Sequence, residues 1–194
     1  MFICIEGNIG AGKTTLAKKI ADELKFDFLP EQFEENSLLP LFYNDPKTYS
    51  YLLEFSFLIE RFQQLNNWAE KLKTKHVVSD YNFYKCLCFA KINLSEPEYN
   101  FFEKEFYKLN KGIVQPDLLV RLHLRPDYLI QNINQRSRVA EKNIPESYLN
   151  KITVSYDLIY NQTSLNMVSF HLEKNSPEEY ERVFSELKVN LQKL

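Results

Sequence analysis

The sequence predicts an α/β fold: a five-stranded parallel sheet with helices on both faces. Three observations carry that expectation. Short apolar, β-branched runs alternate along the chain with longer stretches of helical spacing, the pattern of strand–helix–strand units. The first such run opens directly into a glycine-rich turn and then a helix. The length of 194 residues lets one core bury roughly 70% of the unfolded surface without staples, so the whole chain, 1–194, reads as a single domain.

Taken in order, FICIE at 2–6 is a buried strand bounded by Gly7, and TLAKKIADEL is a helix with Leu16, Ile20 and Leu24 on one face. A second short strand covers Phe26 to Leu29, and Pro30 breaks it. The longest helix runs from Pro46, which suits a first turn, to Lys73. Its apolar stripe is Tyr51, Phe55, Leu58, Phe62 and Leu65. HVVSD at 76–80 is a third strand ending in an acid. Helices follow over Phe83–Ile92 and Glu96–Leu109, the latter capped by Ser95. DLLVRLHL at 117–124 is the fourth strand. Helices over Asp127–Asn134 and Pro145–Tyr160 flank the polar stretch QRSRVAEKN. MVSFHL at 167–172 is the last strand, before an amphipathic helix from Pro177 to Leu191.

Composition excludes several classes. A formal net charge of −2 gives no basis for broad binding to nucleic acid or acidic lipid. No apolar run approaches the roughly 20 residues of a membrane helix, and MFICIEG lacks the basic region of a signal peptide. Three sparse cysteines, Cys4, Cys86 and Cys88, read as reduced thiols of a cytoplasmic protein. The three histidines, His76, His123 and His171, are scattered beside apolar runs and read as buried or strand-end residues.

The chemistry concentrates at 7–14. Of four glycines in the chain, three fall within Gly7-Asn8-Ile9-Gly10-Ala11-Gly12-Lys13-Thr14. The spacing is that of a phosphate loop between strand and helix, with Thr15 continuing into the helix. Successive N–H groups wrap phosphate oxygens at a helix N-terminus. Lys13 reaches the β- and γ-phosphates, and Thr14 offers its hydroxyl to Mg²⁺. The loop alone says only that a nucleoside triphosphate binds.

From Pro30 onward the chain resembles the deoxynucleoside kinases. The likeness rests on GNIGAGKTT, PEQFEENSLLPLFYNDP, LLEFSFLIERF in the long helix, SDYNF after the third strand, and QRSRVAEKNIPESYL. The resemblance implies a P-loop kinase fold with strand order 2-3-1-4-5, an arginine-bearing lid and commonly a homodimer through the long helix. It implies that Glu31 takes the proton from the sugar 5′-hydroxyl. Tyr43 and Glu141 would hold the 3′-hydroxyl, Arg136 and Arg138 would close over the triphosphate, and Asp80 would serve Mg²⁺. Leu53 and the aromatics of the long helix would enclose the base.

Departures from the family pattern bear on the substrate. The Asp/Glu-Arg-Ser signature reads Asp80-Tyr81-Asn82, so its arginine is replaced by Tyr81. The first lid arginine is Asn132. The glutamine that reads the base is Glu54, the acid after the Arg-Ser motif falls on Cys86 beside Lys85, and Arg61 stands where the family keeps a base-side arginine. A buried Glu54 needs a partner, which Lys85 or Arg61 is expected to supply. The reading is an ATP-dependent kinase of the 5′-hydroxyl of a deoxynucleoside, with purines favoured. Two other readings stay open on sequence alone. One is a thymidylate-like nucleoside monophosphate kinase, disfavoured because 30–60 carries few cations. The other is a nucleotide-binding module with little catalysis.

Overall fold

The structure, a computed structural model, describes residues 1–33, 36–136, 144–173 and 175–191. Five strands, β1 (Phe2–Gly7), β2 (Asp27–Leu29), β3 (Val77–Ser79), β4 (Leu118–Leu124) and β5 (Met167–Leu172), form one all-parallel sheet in the order β2-β3-β1-β4-β5. Every residue of β1 is buried. A strand buried on both faces reads as an unbroken apolar run rather than an alternation, which is why FICIE was legible as the centre of the sheet. All five strands and the order expected from the resemblance are present.

The helices are α1 (Lys13–Leu24), α2 (Leu38–Asn44), α3 (Pro46–Thr74), α4 (Lys85–Asn93), α5 (Glu96–Asn110), α6 (Pro126–Arg136), α7 (Glu146–Tyr160) and α8 (Pro177–Leu191). The one helix not foreseen is α2, whose sequence LLPLFYN carries an internal proline. Pro40 is its third residue, and the N–H groups of a first turn have no intrahelical partner to lose. The chain then turns at Asp45, whose side chain accepts from the Thr48 N–H at 3.3 Å, and Pro46 opens α3. At α5 the expected cap is present: the Ser95 N–H donates to Glu98 at 2.9 Å.

The stripe anticipated on α3 is displaced by one position. Leu58 and Leu65 are buried as expected, but Tyr51 is 36% exposed and Phe55 and Phe62 are half-buried. The buried face instead includes Leu53, Glu54, Phe57, Arg61 and Gln64. With Ser50, four polar side chains lie on the side of the helix that apolar periodicity alone would assign to solvent. The cysteines are free and buried. His123 and His171, paired across β4 and β5, stack with ring centroids 4.5 Å apart.

Candidate active site

The carboxyl ends of parallel strands are where α/β sheets bind ligands, and β1, β2 and β3 all deliver chemistry there. Beyond β1, the loop residues Gly10 and Gly12 adopt φ of 85° and 80°, a left-handed conformation that glycine takes at no steric cost. Space demands glycine as well. A Cβ on Gly12 would lie 2.3 Å from the Tyr180 hydroxyl, and one on Gly10 2.7 Å from the Leu129 carbonyl. The loop is therefore pressed from behind by α6 and α8, a packing reason that the spacing alone did not reveal. Asn8 anchors the loop to α7, its amide donating to the Leu149 carbonyl and to Thr153 Oγ1, both at 2.8 Å. Lys13 curls under the loop and donates to the carbonyls of Gly7 and Asn8, both at 2.9 Å. Burial, reinforced by the charge of Lys85, lowers its pKa to about 8. A groove on the outer side of the loop is lined by Gly10 through Thr15, Asn132, Gln135, Arg136, Asn175 and Tyr180.

Glu6, at the end of β1, is fully buried. It accepts from the Asn82 N–H at 2.6 Å, the Gly7 N–H at 3.1 Å and the Tyr156 hydroxyl at 3.0 Å, tying the start of the loop to the exit of β3. Sitting inside an apolar strand, it gave no sign of this role in the sequence.

Glu31 follows β2. Arg61 donates to its Oε1 at 2.8 Å and Lys85 to its Oε2 at 2.6 Å, with all three side chains under 10% exposed. Burial works to raise its pKa, but Lys85 and then Arg61 outweigh that and hold it at about 2. Asp80, after β3, accepts from the backbone N–H of Glu31 at 2.7 Å and from the Thr14 hydroxyl at 2.5 Å. One carboxylate thus fixes both the catalytic-loop candidate and the first helical turn. Thr14 and Asp80 offer two hard oxygen donors beside the loop. Among the described residues no group of three or more His, Cys, Asp or Glu is placed to cage a metal. Such a donor set suits Mg²⁺, which keeps its waters and takes phosphate oxygens.

The same cleft continues away from the loop. Its lining includes Ile9, Gly10, Lys13, Thr14 and Glu31 at one end, and Phe33, Phe42, Tyr43, Leu53, Glu54, Phe57, Phe89, Asn93 and Tyr148 at the other. Leu53, Phe42 and Phe57 pack as one apolar cluster with Tyr43 and Tyr148 against it. Arg61, Lys85 and Arg136 also line it.

Several expectations are corrected here. Glu54 pairs with neither Lys85 nor Arg61, because Glu31 has engaged both. It accepts instead from the Asn93 amide at 2.7 Å, and Asn93 in turn accepts from the Tyr148 hydroxyl at 3.0 Å. Tyr81 does not reach the cleft. It is fully buried and donates to Gln64 Oε1 at 2.7 Å, while the Gln64 amide donates to the Pro30 carbonyl at 2.8 Å. That chain steadies the backbone just before Glu31. Cys86 is also behind the wall, its thiol 3.4 Å from Arg61. Asn132 holds the loop rather than reaching outward, donating to the Gly10 carbonyl at 2.8 Å. Arg136 ends α6 and lines both cleft and groove. Arg138 and Glu141 lie outside the described residues. Asn93, Phe89 and Tyr148 were missed. Tyr148 stands within the quoted IPESYL, which was the available signal.

A phosphate loop at the head of a parallel sheet, facing an acid at the exit of the neighbouring strand across an aromatic cleft, defines a P-loop phosphotransferase. The family profile of deoxynucleoside kinases matches residues 3–192. The deoxyguanosine kinase of Bacillus subtilis (strain 168) is 34% identical over 163 residues, 83% of this chain and 79% of that one. The deoxyadenosine kinase of Dictyostelium discoideum is 35% identical over 164 residues, 79% of this chain and 64% of that one. A structure of deoxyadenosine kinase from M. mycoides with the products dCMP and a flexible dCDP superposes with a TM-score of 0.84 at 25% identity, covering 97% of this chain and 100% of that chain. The chain belongs to the deoxynucleoside kinase family, and it is a kinase of deoxynucleosides. Among the described residues no helix is long and apolar enough to cross a membrane.

Proposed function

We propose that the chain transfers the γ-phosphate of ATP, with Mg²⁺, to the 5′-hydroxyl of a purine deoxynucleoside. The observation that carries this reading is the position of Glu31: one cleft is lined at one end by Lys13, Thr14 and Glu31 and at the other by Phe57, Phe89 and Glu54. An alcohol bound at Glu31 with its base among the aromatics faces the loop that holds the donor.

In this reading Glu31 orients the hydroxyl and receives its proton. Its low pKa keeps it ionised throughout the working range. A weak base suffices because the loose transition state of phosphoryl transfer needs little deprotonation in advance. Lys85 and Arg61 take over the cationic surroundings that the family's signature arginine would give and that Tyr81 lacks. Thr14 and Asp80 would hold Mg²⁺, which neutralises phosphate charge when bound. The loop from Gly7 to Thr15, with Lys13, grips the donor, the Gly7 N–H being already given to Glu6. Arg136 and Arg138 stabilise the transferring group, and Tyr43 and Glu141 hold the 3′-hydroxyl. Purine preference is supported by the deoxyguanosine and deoxyadenosine kinases among the relatives. A homodimer through α3 is supported by Leu52 and Ile59, which stay exposed on that helix.

The test is steady-state phosphorylation of the four deoxynucleosides with ATP and Mg²⁺, identifying the product. The expected result is the 5′-monophosphate, with purines turned over best and Glu31→Gln slowed at least about 10²-fold. Turnover of deoxynucleoside monophosphates alone, or an unaffected Glu31→Gln variant, would overturn the reading.

A further inference from the structure

The base end of the cleft contains an unspent polar atom. Among the described residues, three buried side-chain atoms have no hydrogen-bond partner: Nε of Arg61, Nε of Arg121 and Oε2 of Glu54. Glu54 is 1% exposed and lines the cleft. Its other oxygen is committed to Asn93, and Asn93 is committed to Tyr148. The carboxyl group is therefore held in place with one buried oxygen unpaired, in the wall of a cleft also lined by Phe57 and Phe89. Leaving such an oxygen buried and unpaired is unfavourable, and a ligand's polar edge can remove that penalty.

Resting on the reading that the cleft takes a purine deoxynucleoside, we infer that Glu54 Oε2 faces the purine N1 position and that the proton on Glu54 chooses the base. An ionised carboxylate only accepts, whereas a protonated one also donates. Guanine and hypoxanthine carry a hydrogen on N1, so they match the ionised form. Adenine N1 is an acceptor, so it matches the protonated form. A mismatch places two acceptors, or two donors, against each other in a dry site.

The surroundings keep this proton exchangeable near neutrality. Burial raises the pKa of Glu54 to about 7 against the opposing Asn93 hydrogen bond and the charge of Arg61. The titratable and charged groups facing it are Arg61 on its own helix α3, Cys86 from α4 and Tyr148 from α7. Glu31, Lys85 and Tyr43 line the same cleft. Burial pushes the Cys86 thiol up, and burial together with the charge of Glu54 pushes the Tyr148 hydroxyl up, so both stay neutral.

The measurement is kcat/KM for deoxyguanosine, deoxyinosine and deoxyadenosine between about pH 6 and about pH 8. Because each base needs one protonation state of the free enzyme, the deoxyguanosine-to-deoxyadenosine ratio should rise about tenfold per pH unit. Ionisation of any group shared by both reactions cancels in that ratio. Deoxyinosine, which lacks the 2-amino group, should follow deoxyguanosine. Glu54→Gln does not titrate, so its ratio should be flat across this range. A flat ratio in the unaltered enzyme, a slope retained in Glu54→Gln, or deoxyinosine tracking deoxyadenosine would each overturn the inference while leaving purine phosphorylation intact. No turnover of any purine deoxynucleoside at any pH would overturn the underlying reading and this one with it.

Discussion

Glu31 and Glu54 line one cleft and both carry a carboxyl group largely shielded from water, yet they sit at opposite extremes. Glu31 has a cation on each oxygen and a pKa of about 2; Glu54 has one neutral amide, an orphan oxygen and a pKa of about 7. Burial raises both, so burial does not separate them. Partners do. The end of the cleft beside the phosphate loop is electrically saturated and fixed. The far end is left one interaction short.

The strongest test of that contrast is Glu31→Gln, which keeps the shape and removes the charge. Phosphorylation should fall by about 10²–10⁴, read as kcat with saturating deoxynucleoside. A loss confined to KM would place Glu31 in binding alone. Next is Lys85→Met. One Glu31 oxygen loses its cation, so stability should drop by on the order of 3 kcal/mol in denaturant unfolding. The Glu31 carboxyl should also rise from about 2, moving the acid limb of the kcat/KM profile to higher pH. An unmoved limb would mean that Arg61 alone sets the ionisation.

Glu54→Gln should act with the opposite sign. A folded pKa of about 7 against an ordinary 4.5 means that the native state binds the extra proton between those values. The contribution of Glu54 to stability is thus complete below about 4.5 and is lost as pH rises through about 7. The glutamine variant should therefore exceed the unaltered enzyme in stability at pH 8 by on the order of 2 kcal/mol, with the difference shrinking towards pH 5. Glu31 runs the other way, its stabilisation disappearing only as pH falls from about 4.5 through about 2. A constant offset for Glu54→Gln across pH would show that Glu54 stays ionised. The smallest effect is Tyr148→Phe, which frees Asn93 at a cost of about 1 kcal/mol. It should raise KM for the purine deoxynucleoside and leave kcat unchanged; a fall in kcat would extend the influence of Tyr148 to the phosphate end.

The same contrast explains what could be read in the sequence. The phosphate loop, Gly7–Thr15, is built from contiguous residues whose spacing is dictated by backbone geometry, whereas Glu31 and Asp80 were singled out through the family resemblance, at the ends of the second and third strands. The sheet was legible because buried parallel strands leave unbroken apolar runs. The far end of the cleft is assembled from α3, α4 and α7, and no local pattern announces that Asn93 will meet Glu54 or that Tyr148 will meet Asn93. Helical periodicity misled at α3 for a specific reason. Glu54, Arg61 and Gln64 are polar side chains on the inner face, and a rule that sorts apolar from polar sends them outward. The departures at Tyr81 and Cys86 were noticed, but their meaning depended on distance: both sit behind the wall, and the cation expected from Tyr81's position arrives from Lys85 and Arg61.

Tyr180 joins two parts of the molecule that are far apart along the chain. Its ring lies against Gly12 and its hydroxyl donates to the Ala11 carbonyl at 3.3 Å, so α8 buttresses a turn 169 positions earlier in the sequence. Without α8 the turn would keep α6 behind Gly10 and lose its support at Gly12. The shape of the turn is thereby coupled to the docking of α8.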